Sequence, residues 1–329
     1  MSPAPVTPLT VLTGFLGAGK STLLNRMLRD PRYGDTAVLV NEWGEVPIDH
    51  ALVRQSSENV VVLSGGCVCC RVAGDLVRAL RELHFQRVEG AIPPFARAVV
   101  ETTGLADPAP LLATLVEMPV VSARYSLAGI VTVVDAQHGM ATLDRHREAV
   151  KQAAMADRLV ISKSDLVPAA TVAGLEARLA AINPAARVLR SGQEAPDPAL
   201  LLETGLHRGG GRLADAEGWL NAGAYRRMGP PGLHDPEIRA FTWTTPEPRP
   251  WEDVESSIAT LLDLRGERVL RMKGLVNAAG EPGPRAVHAV QHTLYPSARL
   301  PAWPSNDHTT RLVFIGRGLE EREVAGILH

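Results

Sequence analysis

The sequence predicts an α/β fold, in which a parallel sheet with helices on both faces is followed by a smaller α+β domain. Short apolar runs alternate with helix-like stretches through the first ~185 residues, a pattern typical of a helix-covered parallel sheet. These runs are rich in Val, Leu and Ile with little polar alternation, which indicates strands buried on both faces. Strands and helices after residue 236 lack that alternation and predict a separate unit.

Each element of the first domain follows from this pattern. The predicted strands are Leu9–Thr13, Thr36–Asn41, Val60–Ser64, Ala98–Glu101, Leu127–Asp135, Arg158–Ser162 and Ala186–Arg190. Helices are predicted after Lys20 and over Asp75–His84, Ala109–Glu117, Arg145–Ala156 and Thr171–Ile182. We therefore assign residues 1–190 to this domain.

The rest of the chain divides into a linker and a second domain. Residues 191–236 contain Gly209-Gly210-Gly211 and Gly229-Pro230-Pro231-Gly232, runs that favour a partly ordered linker. Residues 237–329 form the predicted α+β domain. Its predicted strands are Ile238–Thr244, Arg268–Leu275, Ala286–Leu294 and Thr310–Ile315, and its predicted helices are Trp251–Leu264 and a last one from about Leu319.

Bulk composition excludes several classes of function. The chain has 329 residues, which suits two domains, and a net charge of −2. It therefore lacks the basic field that binding to nucleic acid or to an anionic membrane usually needs. No apolar run approaches the ~20 residues that span a bilayer, and the N-terminus lacks the basic and apolar regions of a secretory signal. We expect a cytoplasmic protein.

The first predicted strand runs directly into a glycine-rich loop and then a helix. The loop reads Gly14-Phe15-Leu16-Gly17-Ala18-Gly19-Lys20-Ser21 and is followed by Thr22. This is the G-x-x-x-x-G-K-[ST] pattern in its required strand–loop–helix context. Its backbone N–H groups can wrap an anion at a helix N-terminus, Lys20 should reach the β- and γ-phosphates, and Ser21 should place its hydroxyl on Mg²⁺. The sequence therefore predicts the fold of a P-loop nucleoside triphosphatase.

A Lys-x-Asp pattern at a later strand end indicates which base the loop serves. Ser162, Lys163 and Asp165 stand at the end of the Arg158–Ser162 strand. The Asp165 carboxylate can accept from both N1–H and the exocyclic amine of guanine, whereas the N1 acceptor of adenine would repel it. The alkyl stem of Lys163 can cover the face of the base. We therefore predict that the nucleotide is GTP.

An acid and a glycine at another strand end complete the predicted phosphate site. Glu101 can hold the hydration shell of Mg²⁺, and Gly104 can bring its N–H to the γ-phosphate. Lys20 and Glu101 are thus the candidate catalytic residues. The segment Asn41–Asp49 after the second strand suits a nucleotide-sensing loop, in which Asp49 is a candidate magnesium ligand, although a solvated loop explains its composition nearly as well.

All three cysteines lie within four residues, at Cys67, Cys69 and Cys70. They follow two glycines and can present two or three thiolates to one soft ion, for which Zn²⁺ or Cu(I) suits sulfur best and Co²⁺ is a further option. Three sulfurs leave a tetrahedral ion one ligand short, which favours an exchangeable site, and Glu45 or a histidine can fill the gap. Inert buried cysteines and a redox pair are the alternatives.

The predicted sites should be neighbours, because loops that follow parallel strands share one edge of the sheet. That edge would carry the phosphate loop, the Asn41–Asp49 loop, the cysteine turn and Glu101. Loops of this kind can rearrange when the γ-phosphate leaves. We therefore predict reciprocal coupling between the metal and nucleotide sites.

Together these motifs resemble those of the CobW-type family of metal-handling GTPases, in particular its YjiA-like branch. The resemblance continues in the second domain, in Arg271-Met272-Lys273-Gly274 and Leu312-Val313-Phe314-Ile315-Gly316. It implies a zinc-binding GTPase that acts as a metallochaperone, with GTP binding and hydrolysis governing transfer of the metal to a client metalloprotein. In that branch the positions of Glu45 and Cys69 serve the metal. Ser162 stands where many GTPases have Asn.

The expected ligands are GTP, Mg²⁺ and Zn²⁺, and a homodimer that depends on nucleotide or metal is a further expectation. Two other hypotheses stay open on the sequence. One is a GTP-dependent zinc sensor in which turnover is incidental. The other is an ATP-dependent enzyme that uses the cysteines for redox chemistry.

Overall fold

The computed structural model describes residues 6–41, 60–63, 70–202, 219–221, 224–225 and 238–329. The chain forms two compact units. The first comprises Met1–Glu176 and Arg187–Thr204, and the second comprises Ala177–Ala186 and Gly205–His329. In the described residues no helix is both long and apolar enough to cross a bilayer.

A seven-stranded sheet forms the centre of the first unit. Its strands are β1 (Thr7–Gly14), β2 (Thr36–Asn41), β3 (Val60–Leu63), β4 (Arg97–Glu101), β5 (Tyr125–Asp135), β6 (Arg158–Ser162) and β7 (Arg187–Ser191). They lie in the order β3-β2-β4-β1-β5-β6-β7, and every neighbouring pair is parallel. Leu9 and Val11 in the central strand β1 have no exposed surface, as apolar runs in doubly covered sheets predict. The structure confirms the predicted α/β fold.

Helices flank these strands in the first unit. They are α1 (Lys20–Leu28), α2 (Cys70–Glu89), α3 (Pro108–Glu117), α4 (Pro119–Ser122), α5 (Gly139–Arg145), α6 (Arg147–Met155), α7 (Ala169–Ile182) and α8 (Pro198–Leu202), and α7 from Ala177 onwards belongs to the second unit. Helix α3 begins where Asp107 accepts from the N–H of Ala109 and Pro108 takes the first helical position. The predicted helix Arg145–Ala156 is confirmed as α6, which begins two residues later because the backbone at His146 is extended, whereas α5 was not predicted.

The predicted linker begins too early in the chain. Ser191 still belongs to β7, and α8 packs Leu201 and Leu202 into the same apolar cluster as α1. The many turn-forming residues of this segment led to the linker prediction, although Leu201 and Leu202 are buried in the core. Within the second unit, the Trp219 ring lies 4.6 Å from the Lys273 ammonium, a distance typical of a cation–π contact.

The second unit contains an antiparallel sheet with helices packed against it. Its strands are β8 (Ile238–Thr245), β9 (Val269–Val276), β10 (Arg285–Val290), β11 (Thr293–Leu294), β12 (Ala298–Arg299) and β13 (Thr310–Arg317), and its helices are α9 (Trp251–Arg265) and α10 (Glu321–Leu328). The strand order is β11-β10-β9-β13-β8, with β12 paired to β10. The predicted strand Ala286–Leu294 is interrupted, because Gln291 at φ 50° begins a two-residue hairpin turn.

Candidate nucleotide-binding site

Parallel strands bring the candidate residues of the first unit to one edge of the sheet. The glycine-rich loop follows β1, Glu101 ends β4, and Ser162 ends β6. Asp135 ends β5 and Ser191 ends β7 at the same edge. The carboxyl ends of a parallel sheet are where ligands of such folds bind.

Glycines shape the loop between β1 and α1. Gly17 and Gly19 adopt φ values of 71° and 89°, which favour glycine. A side chain at Gly14 would collide with the carbonyl oxygen of Val133. Gly19 is also the N-cap of α1 and has no side chain to cap the helix. The first N–H groups of α1 are therefore available to an anion.

Two predicted phosphate-site residues start α1. Lys20 is buried, and its Nζ donates to the carbonyls of Gly14 at 3.0 Å and Phe15 at 3.2 Å, across the loop. Ser21 Oγ donates to Glu101 Oε1 at 2.6 Å, although the two residues are 80 positions apart. Glu101 is itself buried. Thr22, a further predicted contact, is exposed on the first turn of the helix.

Two hydrogen bonds attach the predicted base-reading residues to the glycine-rich loop. Ser162 Oγ donates to the Ala18 carbonyl at 2.6 Å. Lys163 Nζ donates to the Gly17 carbonyl at 2.9 Å, from a backbone with φ 55°. The stem of Lys163 is therefore fixed beside the loop. The Ser162 hydroxyl is therefore directed at the loop.

Asp135 is a candidate site residue that the sequence argument missed. Its carboxylate contacts Lys163 Nζ at 2.6 Å and accepts from the N–H of Gln137 at 2.7 Å, and His138 Nδ1 lies 3.3 Å away. Burial opposes ionisation of this carboxyl, but the hydrogen bonds from Lys163, Gln137 and His138 outweigh it and hold its pKa below the usual value. Its position at a strand end on the predicted edge was the available signal.

The loop after β7 adds a second missed residue, Gly192. A side chain at Gly192 would lie 3.1 Å from Asp165 Cβ, so the glycine lets the two loops pack closely. Its carbonyl accepts from Arg26 of α1 at 2.6 Å. Asp165 itself is exposed beside this contact, where a ligand can reach its carboxylate. The sequence argument placed this segment in a linker and so passed over it.

Gly104 lies against the glycine-rich loop, as its predicted role requires. A Cβ atom there would approach Leu16 N to 2.5 Å and Leu16 Cα to 2.7 Å. Two hydrogen bonds of Thr102, two residues before Gly104, join the start of this loop to β1. The Thr102 N–H donates to the Leu12 carbonyl at 2.9 Å, and its hydroxyl donates to Thr13 Oγ1 at 2.8 Å.

A cavity of about 290 Å³ opens beside the glycine-rich loop. It is lined by Phe15–Ala18, the end of β5, and residues of α5 and α6. The Phe15 ring stacks on His146 with centroids 4.5 Å apart. Lys163 and Asp135 also line it.

Most of the predicted metal ligands lie outside the described residues. These are Glu45, Asp49, Cys67 and Cys69. Cys70 is the first residue of α2. In the part of the chain that the structure describes, no group of three His, Cys, Asp or Glu side chains is placed to hold a metal ion. The metal assignments remain predictions.

A parallel sheet with this loop at the β1–α1 junction defines the class of P-loop nucleoside triphosphatases. A family profile described as "CobW/HypB/UreG, nucleotide-binding domain" matches residues 8–190, and one described as "Cobalamin synthesis protein cobW C-terminal domain" matches residues 238–329. The chain belongs to the CobW/HypB/UreG family. This membership confirms the resemblance drawn from the motifs.

Curated relatives and a solved structure extend over nearly the whole chain. The Zinc chaperone YjiA of Escherichia coli is 32% identical over 96% of this chain and 96% of its own length. The Zinc chaperone CobW of Pseudomonas aeruginosa is 30% identical over 98% of this chain and 90% of its own length. The crystal structure of Zn(II)-bound YjiA GTPase from E. coli matches with a TM-score of 0.71 at 26% identity, covering 98% of both chains.

Proposed function

We propose that this chain is a GTPase that binds zinc through its cysteine turn and delivers the metal to a client metalloprotein. The attachment of Ser162 and Lys163 to the Ala18 and Gly17 carbonyls carries the nucleotide part of this proposal. These hydrogen bonds join the loop that carries Ser162 and Lys163 to the phosphate loop, so that the two loops form one continuous surface. A base and a triphosphate can then bind together across it.

The residues at the start of α1 suit a triphosphate. Its first N–H groups and the Lys20 ammonium supply positive charge to the phosphate oxygens. The Ser21 hydroxyl and the Glu101 carboxylate, 2.6 Å apart, are oxygen donors of the type that Mg²⁺ prefers, and they would hold that ion. When bound, Mg²⁺ neutralises charge that develops on the β- and γ-phosphates. The Gly104 N–H would face the γ-phosphate and orient it for attack by water.

Guanine selectivity would come from Asp165 and Lys163. Asp165 is exposed beside Gly192, so its carboxylate can receive both N–H donors of the guanine edge. Asp135 and Gly17 hold the Lys163 ammonium, which leaves the lysine stem as a platform for the base. The fixed position of Lys163 lowers the entropy that base binding has to remove.

Zinc is the proposed cargo, and its proposed binding site is formed by the six-residue connection between β3 and α2 together with the first residue of α2. β3 ends at Leu63 and α2 begins at Cys70, so the connection leaves the sheet at the edge that carries the phosphate loop. We assign Cys67, Cys69 and Cys70 to zinc, with Glu45 as a fourth ligand. Both full-length relatives are named zinc chaperones, which supports zinc and a client protein as the functional context.

Isothermal titration with GTP, GDP and ATP in the presence of Mg²⁺ tests the nucleotide part of the proposal. We expect GTP and GDP to bind and ATP to bind at least about a hundredfold more weakly, because Asp165 repels the adenine N1. Asp165→Ala should remove most of that selectivity. The matched control Asp263→Ala changes an exposed acid of the second unit and should bind GTP as the wild type does. Equal affinity for ATP and GTP would remove the guanine assignment.

A further inference from the structure

Two neighbouring residues of α6 contact the second half of the loop that follows β4. Gln152 Nε2 donates to the carbonyls of Gly104 at 3.2 Å and Ala106 at 3.0 Å. Beside it, Lys151 Nζ pairs with the Asp107 carboxylate, which also caps α3. Gln152 is 1% exposed, so its amide makes these bonds away from solvent. One buried side chain therefore restrains two carbonyls of the loop.

The helix that carries Gln152 is fixed to the sheet. Thr132 Oγ1 of β5 donates to the Gln152 main-chain carbonyl at 2.8 Å. Gly104, which α6 contacts through Gln152, also lies close to the phosphate loop. A Cβ at Gly104 would come to 2.5 Å from the Leu16 nitrogen. The backbone at Gly104 is thus confined between α6 and the phosphate loop. Within the loop itself, the turn bond from Ala106 N–H to the Thr103 carbonyl, 3.1 Å long, is local.

We propose that Gln152 is a positioning residue, which keeps the Gly104 N–H within reach of the γ-phosphate of GTP. The inference rests on the proposed GTPase function. A carboxamide suits this role because its NH₂ group has two donors for two carbonyls. GDP has no γ-phosphate, so the restraint contributes to GTP binding and hydrolysis and leaves GDP binding unaffected. Gln152 would therefore set the preference for GTP over GDP.

Gln152→Met in the full chain tests this assignment. Methionine has a similar length and apolar stem but cannot donate to the two carbonyls. Titrations with Mg²⁺ and either a non-hydrolysable GTP analogue or GDP give the ratio of the two affinities, and single-turnover hydrolysis gives the rate. We expect about a tenfold loss of analogue affinity, at least about a tenfold slower hydrolysis, and GDP affinity within about twofold of wild type.

Thr132→Val is the matched control. It removes a buried hydrogen bond from the same helix and leaves the Gln152 side chain and its loop contacts in place. We expect this variant to keep the wild-type ratio of GTP-analogue to GDP affinity. A shared change in Gln152→Met and Thr132→Val would show that the ratio reports loosening of α6 and would overturn the inference.

Lys151→Met provides a second variant at the neighbouring contact between α6 and the loop, should Gln152→Met fail to fold. It removes the pair with Asp107 and should lower analogue affinity, but not GDP affinity, by about threefold. If the variants that fold keep the wild-type ratio, or lose GTP-analogue and GDP affinity alike, Gln152 has no positioning role. If the wild type itself binds ATP as well as GTP, the failure belongs to the proposed function.

Discussion

Gly14 and Gly104 determine how closely neighbouring strand ends approach the phosphate loop. At Gly14 a side chain would meet the Val133 carbonyl of β5. At Gly104 it would meet the backbone of Leu16. Backbone atoms cannot move aside as the end of a flexible side chain can, so these positions have room only for hydrogen. The close approach brings the backbone of Gly104 next to the loop.

Gly104→Ala should damage nucleotide binding. The added methyl would lie 2.5 Å from Leu16 N, and overpacking of this kind costs about 1–3 kcal/mol. We therefore expect GTP affinity to fall by about tenfold or more in titration calorimetry. Gly174→Ala is the matched control, because Gly174 is exposed in α7 with no atom near its Cβ position. It should add up to about 1 kcal/mol of stability and leave GTP affinity unchanged, and a Gly104→Ala variant equal to it would contradict the crowding argument.

Some site residues could be predicted from sequence and others could not, for physical reasons. Lys20, Ser21 and Glu101 belong to patterns whose spacing already implies a phosphate site, and the structure places them together. Gln152 belongs to no such pattern, because its partners are backbone carbonyls nearly 50 residues away. Only the packing of α6 on the loop after β4 makes it a candidate.

Helix α10 shows how a short element of the second unit is stabilised. Its N-terminus is a capping box, in which Glu320 and Glu323 each accept from the other's backbone N–H. Glu323 also makes a two-bond pair with Arg268, at 3.0 and 2.7 Å. The hydrogen bonds from Arg268 lower the pKa of Glu323 to about 2.

Glu323→Gln should destabilise the second unit in a pH-dependent way. The lowered pKa means that the stabilisation is complete above the ordinary value of 4.5 and is lost as pH falls towards about 2. We expect the variant to melt about 2–4 °C below wild type at pH 7, with the difference shrinking below pH 4.5. Tryptophan fluorescence suits the measurement, because four of the five tryptophans, Trp219, Trp243, Trp251 and Trp303, lie in this unit.

Glu321→Gln is the control for that experiment, because Glu321 is an exposed acid of the same helix. It removes the same charge without the capping-box or Arg268 contacts. A pH-independent difference between wild type and Glu323→Gln, or an equal effect of Glu321→Gln, would contradict the assigned role of the Arg268 pair.

At the level of elements, apolar runs predicted strands better than polar patterns predicted helix boundaries. Strands β2 and β6 have the predicted bounds, because buried parallel strands need continuous apolar residues. The start of α6 was predicted two residues too early, because no proline or glycine marks the extended backbone at His146. Helix α8 was missed because its buried leucines follow a stretch rich in turn-forming residues.

The whole molecule places its functional loops by strand order. β3 lies three strands from β1, about 14 Å at the usual strand spacing, and both end at the same edge of the sheet. The cysteine turn follows β3, and the phosphate loop follows β1. The second strand, β2, lies between them beside β4, which carries Glu101. The strand order therefore supports the proposal that loops at the phosphate site also respond to metal.

Zinc titration of the full chain in three nucleotide states tests the central claim most directly. A competing chelator would report the zinc affinity with GDP, with a non-hydrolysable GTP analogue and without nucleotide. We predict that zinc affinity differs by about tenfold between the GTP-analogue and GDP states, because the coupling free energy between two linked sites is typically about 1–3 kcal/mol. Linkage also requires zinc to change the ratio of GTP-analogue to GDP affinity by the same factor. Equal zinc affinity in all three states would contradict the account.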